Sequence, residues 1–265
     1  MKAHDETPDA LREAERRIFE HPGYRQYAEL RALERSITAV FVPNLEELSA
    51  LLEAASTDES LAFELIQNVR EPLIRERFHA VTTQRLHNYL ASVQSLVDHV
   101  RWLMRKRAGS IAEDFERRKQ DLLRNSEVPF MVDLRNFTLH RTLPFLAHRL
   151  EITNVNTPEQ TMESEVELSV AQLLEWAGWS GPTRTYLEAQ GDAMVLRPVV
   201  KKHGELVLGL NAWLHNGLSR ANEEALKEVN GLIVARNAIL VGGDTAEAER
   251  ISRKWDSNSE AEMES

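Results

Sequence analysis

A chain of 265 residues, 42% hydrophobic and 28% charged, is long enough to bury a sizeable core and has the composition of a globular protein. It contains no cysteine, which excludes a disulfide scaffold, a thiolate metal site and a cysteine nucleophile, and fits a reducing compartment. A formal net charge of −10 argues against a general nucleic-acid coat protein, because such binding relies on Lys and Arg at the phosphates.

In chain order, Met1 to Glu20 is crowded with charge and does not read as a signal peptide. No stretch approaches the roughly 18 to 20 apolar residues of a membrane span, so the expectation is a cytoplasmic protein with no membrane partner. Asp9 to Leu33 is rich in Glu, Arg, Ala and Leu, interrupted by His21-Pro22-Gly23, which predicts two short helices. Asn44, with Glu47 three residues on, resembles a capping box for a helix to about Ala55, and Ser56-Thr57-Asp58 offers a fresh cap for Glu59 to Val69.

The strongest helical signal lies between Pro72 and Lys106. Leu86, Tyr89, Leu90, Val93, Leu96, Val97, Val100, Leu103 and Met104 recur at three- and four-residue steps and make one broad apolar face. Asn88, Ser92, Ser95 and His99 form a polar line beside it, while His87, Gln94, Asp98, Arg101 and Arg105 should meet solvent. A helix with that pattern belongs at the centre of a bundle. Gly109-Ser110 then precedes a charged helix from Ile111 to Asn125, and a further helix is predicted from near Asp133 to before Pro144.

Leu150 to Thr153 and Val166 to Val170 alternate apolar and polar residues around the turn-prone segment 154–158, which predicts one two-stranded hairpin. Helices are expected again over Val170–Trp176, Gly181–Gly191, Val199–Leu218 and Asn222–Leu240. The fold class is therefore mainly α, a helical bundle with one small β-hairpin and additional C-terminal helices. The organisation expected is a bundle over residues 1–150, then the hairpin and C-terminal helices over 151–243 packed on it, then an acidic disordered tail over 244–265. Residues 101–119 carry seven Lys or Arg against three acids, and residues 244–265 carry seven acids against three bases. Both patterns suit solvated surface; the basic run could also form a lip near an anion site, and the tail a partner-binding arm.

No Gly-rich phosphate loop, zinc-binding His-Glu-x-x-His, nucleophile elbow or dinucleotide fingerprint occurs, and no cofactor or metal is called for. What remains is histidine beside arginine. Metal-independent RNA cleavage needs a base at the ribose 2′-hydroxyl, an acid at the leaving oxygen and a cation over the phosphate. Arg135 and His140 supply these residue types, and Asn136, four residues before His140, shares its helix face and could orient the imidazole. Three other stretches have similar spacing: Arg16 to His21, Arg141 to His148 and Arg197 to His203. Arg16 is followed by Arg17 and its His21 abuts a helix-ending Pro-Gly, Arg141 to His148 is split by Pro144, and Arg197 is followed by Pro198.

The run Arg135-Asn-Phe-Thr-Leu-His140 resembles the Arg-x(4–6)-His motif of the HEPN superfamily, in which a polar residue typically follows the arginine. That resemblance covers about residues 63–150. It implies a helical bundle and a metal-independent endoribonuclease of the kind that serves as a toxin or antiphage defence effector, with its site where two protomers of a homodimer meet. It further implies an RNA substrate and a possible antitoxin or other protein partner. Arg135 would hold phosphate, Asn136 would be the polar accessory and His140 would do acid–base work, with His99, Asn88 and Asp133 in support. The alternative is a non-catalytic helical module that binds a protein or nucleotide. Arg135 and His140 would then be structural, and His99 a satisfied donor between helices. His79 and His87 read as surface residues, Asp98 with Arg101 as an exposed ion pair, and Trp176 and Trp179 as core anchors.

Overall fold

The computed structural model describes residues 7–67, 72–107, 109–153 and 161–260. The protein is a mainly α-helical bundle with a small antiparallel sheet and extra C-terminal helices. The helices are α1 (Thr7–Glu20), α2 (Tyr24–Ser36), α3 (Val42–Thr57), α4 (Glu59–Gln67), α5 (Pro72–Met104), α6 (Ser110–Leu123) and α7 (Glu127–His140). They continue with α8 (Val170–Leu174), α9 (Gly181–Glu188), α10 (Leu196–Ala221), α11 (Glu223–Leu240) and α12 (Thr245–Glu260). The strands are β1 (Leu146–Thr153), β2 (Thr161–Ser169) and β3 (Ala193–Val195), in the order β1-β2-β3.

The break between α1 and α2 falls where His21-Pro22-Gly23 placed it, and the His21 ring holds the turn by accepting the Gly23 N–H at Nδ1. Asn44 is not a cap. Helix α2 passes through a π-helical turn, Ile37–Phe41, directly into α3, so Asn44 lies inside a helix and its amide donates to the Val40 carbonyl. Pro43 is accommodated because it enters at the first positions of α3. Asp58 does cap α4, accepting the Leu61 N–H. Val69 and the turn at 154–158 lie outside the described residues.

Helix α5 is the central element, packed by α2, α3, α4 and α7. Its predicted apolar face is the core: Leu86, Tyr89, Leu90, Val93, Leu96, Val100 and Leu103 are all buried. His87, Asp98, Arg101 and Arg105 are exposed and Gln94 is half-buried. Opposite α5 runs α10, whose stripe Val199, Val200, His203, Val207, Asn211, Leu214 and Leu218 is buried. The two helices are pinned by a 2.6 Å hydrogen bond between the Tyr89 hydroxyl and His203 Nδ1, both side chains being buried.

Three expectations are corrected by longer-range pairing. The hairpin gains a third strand, because Met194 and its neighbours pair with Glu167–Ser169 at the far edge of β2. Helix α7 starts at Glu127 rather than near Asp133, since Pro129 sits in its first turn, where an N–H has no intrahelical partner in any case. Residues 245–260, expected to be disordered, form α12 against α11, with Ala248 buried and Ser252 accepting from the Asn237 amide. A boundary at residue 150 falls inside β1, and one hydrophobic core runs across it from Leu30 to Leu218.

Candidate functional site

Helix α7 buries Val128, Phe130, Met131, Leu134 and Phe137, and this apolar side fixes which residues face outward. Around the helix, Val132, Asn136, Leu139 and His140 share an arc of about 100°, with Arg135 on the far flank of Leu139. Val132 is 41% and Leu139 48% exposed, and His140, the last helical residue, is exposed. Arg135 and His140 are five residues apart, so their Cβ directions differ by about 140°. One chain therefore presents them on either side of an apolar stripe, not converging on one point.

Arg135 is half-buried and its guanidinium donates to the Asn136 side-chain oxygen at 3.4 Å. Among the described residues it has no carboxylate at ion-pair distance. Its charge is felt at Asp98 of α5, whose carboxyl is held below the usual range first by the Gln94 amide, then by Arg101 and at longer range by Arg135. The imidazole of His140 has no hydrogen-bond or ion-pair partner among the described residues.

The supporting residues go elsewhere. Asp133 Oδ2 accepts the Ser180 N–H at 3.0 Å and the Ser180 hydroxyl at 2.6 Å, fastening the start of α9 to α7. Asp133→Ala should cost about 1–2 kcal/mol in a urea titration, and Asp133→Asn less, because it keeps an acceptor oxygen. A loss below a few tenths would show that this fastening does not hold the two helices together.

His99 is bonded to Ser36 of α2. The Ser36 hydroxyl proton is used on the Ala32 carbonyl at 2.8 Å, so His99 Nδ1–H must be the donor to Ser36 Oγ at 2.5 Å. The α5 side chain that senses Arg135 is Asp98, about 100° further round the helix. Asn88 is half-buried on α5, eleven residues and so about 16 Å along the axis from His99. Thus the structure brings Arg135, Asn136 and His140 to one exposed edge, and brings neither Asp133, His99 nor Asn88 to it as a partner.

The basic run from Arg101 is largely neutralised within the chain. Arg101 pairs with Asp98, Arg107 with Glu29, Arg117 with Asp114 and Lys119 with Glu116, while Lys106 lies over the Trp102 ring and Arg118 over Trp213. The Asp98–Arg101 pair is exposed, as expected.

The structure corrects one histidine and gives another a structural role. His79, expected at the surface, is half-buried with its Nε2 enclosed and unpartnered. His148 was set aside as the end of a broken motif; it lies edge-on to Phe78, and its Nε2–H donates to Ser164 Oγ at 2.8 Å while Ser164 donates to the Ala55 carbonyl. Burial lowers both histidines; Arg75 adds to the effect at His79, and His79 adds to it at His148, where Glu165 opposes it. The pattern that could have flagged His79 is the apolar face of α5 continued back through Phe78 and Thr82.

Among the described residues no three of His, Asp and Glu assemble as a metal-binding group, and no helix is long and apolar enough to cross a membrane. The site and fold together define an α-helical bundle with a polar triplet at the exposed end of one helix. No protein-family model, curated protein or solved structure matches the chain.

Proposed function

We propose that the chain is a HEPN-like, metal-independent endoribonuclease acting through Arg135, Asn136 and His140, with a second copy completing the site and a toxin or defence effector as its setting. The observation that carries this reading is the pairing of an uncommitted cation with an uncommitted imidazole on one exposed edge. Arg135 has no carboxylate partner and His140 no partner at all among the described residues. In the reaction, Arg135 binds a non-bridging phosphate oxygen and Asn136 keeps the guanidinium in place. The ribose 2′-oxygen attacks phosphorus as its proton leaves to a base, the bond to the 5′-oxygen breaks, and that oxygen takes a proton. His140 fills one of these two proton-transfer roles. The splay of Arg135 and His140 is what calls for two copies: one supplies the arginine while the other supplies the histidine.

Purified protein should cleave single-stranded RNA in EDTA and leave 2′,3′-cyclic phosphate ends. His140→Ala should lower the rate by about a hundredfold or more with an unchanged unfolding midpoint, because His140 is exposed and has no hydrogen-bond partner among the described residues. Cleavage by His140→Ala at the wild-type rate would sink the assignment.

The second reading is a non-catalytic helical module that binds a protein, an antitoxin included. It is favoured by the exposed apolar stripe of Val132 and Leu139, and by the structural use of Asp133 and His99. Intact RNA after prolonged incubation with wild type would select it.

A further inference from the structure

Strand β1 is the end strand of the sheet, and its ladder with β2 runs unbroken over eight residues, from Leu146↔Leu168 to Thr153↔Thr161. Sheet edges of this length are usually blunted by proline, lysine, a bulge or a covering segment. Leu-Ala-His-Arg-Leu-Glu-Ile-Thr contains no proline, glycine or lysine, and the register shows no bulge. Among the described residues β2 is the one strand paired to β1, and no backbone hydrogen bond from another segment reaches Leu146–Ile152, although α4 and α5 pass close to the strand.

The two faces of the strand are distinct. Leu146, His148, Leu150 and Ile152 lie opposite Leu168, Val166, Ser164 and Met162, on the side of the sheet that meets α3 and α5. Ala147, Arg149, Glu151 and Thr153 lie on the other side, where Arg149 reaches both Glu151 and Glu167 at 2.7 Å. Ile152 is 37% exposed near one end of the strand, and Phe145, immediately before it, is 60% exposed.

We propose that this edge takes a second copy of the same strand, antiparallel, joining two three-stranded sheets into one of six. Matching the helix-facing sides of both copies requires a two-fold axis perpendicular to the sheet, midway between the two strands and level with a residue of each. Three central registers meet that condition. An axis at Arg149 sets Arg149 against Arg149, and an axis at Glu151 sets Glu151 against Glu151, both like-charge pairs. An axis at Leu150 sets Leu150 against Leu150, Arg149 against Glu151 of the second copy, and Glu151 against its Arg149. It also sets His148 against Ile152 on the helix side. The strand is complementary to itself in charge and in face in that register alone of the three.

Pairing at the sheet edge is independent of the RNA chemistry, so His140→Ala should leave association untouched. Sedimentation equilibrium of the full chain over about 1–100 µM should show a reversible dimer. Arg149→Glu places two Glu pairs across the interface and should weaken the dimer about tenfold or more, while Arg149→Glu combined with Glu151→Arg restores it. Because the protein has no cysteine, Leu150→Cys introduces the chain's sole thiol; it should crosslink two copies on mild oxidation, whereas Glu151→Cys should not. A chain monomeric throughout that range overturns the proposal. So does a dimer indifferent to Arg149→Glu, or a double variant as weak as the single one. Capture of an extended peptide of another protein by a monomeric chain would likewise reassign the edge.

Discussion

Trp179→Ala is expected to cost about 3–5 kcal/mol of folding stability, a substantial part of what holds a domain of this size together. The indole is buried and stacks on Phe137 at 5.4 Å between centroids with the planes 11° apart. Phe130 lies on a second side at 6.3 Å, and Trp176 meets it edge-on at 4.9 Å. Its Nε1–H donates to the Leu173 carbonyl at 2.6 Å, so truncation removes a large aromatic volume and one hydrogen bond to a carbonyl that keeps the Trp176 N–H. Trp179→Phe separates the two effects: it keeps most of the stack and should cost about 1 kcal/mol through the lost hydrogen bond. Urea titrations read by far-ultraviolet circular dichroism avoid the loss of the fluorophore. If the alanine variant lost less than the phenylalanine one, the stack would not be what fastens α8 and α9 to α7.

Acidification should destabilise the protein through His203. Desolvation in the core pushes this imidazole down to about 4, from an ordinary value of 6.5. Between those values the unfolded chain binds a proton that the folded chain excludes, so stability rises with pH across the window. The penalty begins as pH falls through 6.5, reaches about 3 kcal/mol near pH 4, and levels off below that. His79 and His148, also lowered by burial, add in the same direction. His203→Gln keeps an acceptor for the Tyr89 hydroxyl and cannot titrate, so the stability of that variant should vary distinctly less with pH between 6.5 and 4. Equal slopes for wild type and His203→Gln would mean that the proton is taken up elsewhere.

The fold was legible where one segment carries its own pattern. Helix α5 announces itself because an apolar residue recurs at every turn from Leu86 to Leu103, and its burial follows that pattern residue by residue. Strand β3 does not, because three residues cannot show alternation and its partner is β2, 26 residues earlier at the Leu168–Met194 pair. The starts expected at Asn44 and near Asp133 were too late: Pro43 and Pro129 both sit at early helical positions. The C-terminal tail was misjudged from its charge, although Arg250 pairs with Glu247 one turn away and α11 offers a docking surface.

For the candidate site, the Arg-Asn-x-x-x-His order and the resemblance it carries single out Arg135, Asn136 and His140. It could not foresee where their neighbours turn. Asp133 finds Ser180 across 47 positions, and His99 finds Ser36 across 63. Both are hydrogen bonds between helices brought together by the core, and nothing local to Asp133 or His99 encodes them.

The continuous core has a consequence for biosynthesis. Tyr89 waits for His203, and Phe130 and Phe137 wait for Trp179, so the first seven helices emerge with their central contacts unmade. At a translation rate of about 5–20 residues per second, the interval between completing α5 and completing α10 is roughly 6–23 s. During that time the broad apolar face of α5 has α2, α3, α4 and, once it emerges, α7 to cover it, but not α10. The nascent chain is then the state most exposed to aggregation and proteolysis, and a holding chaperone would find its best purchase on Leu86–Leu103.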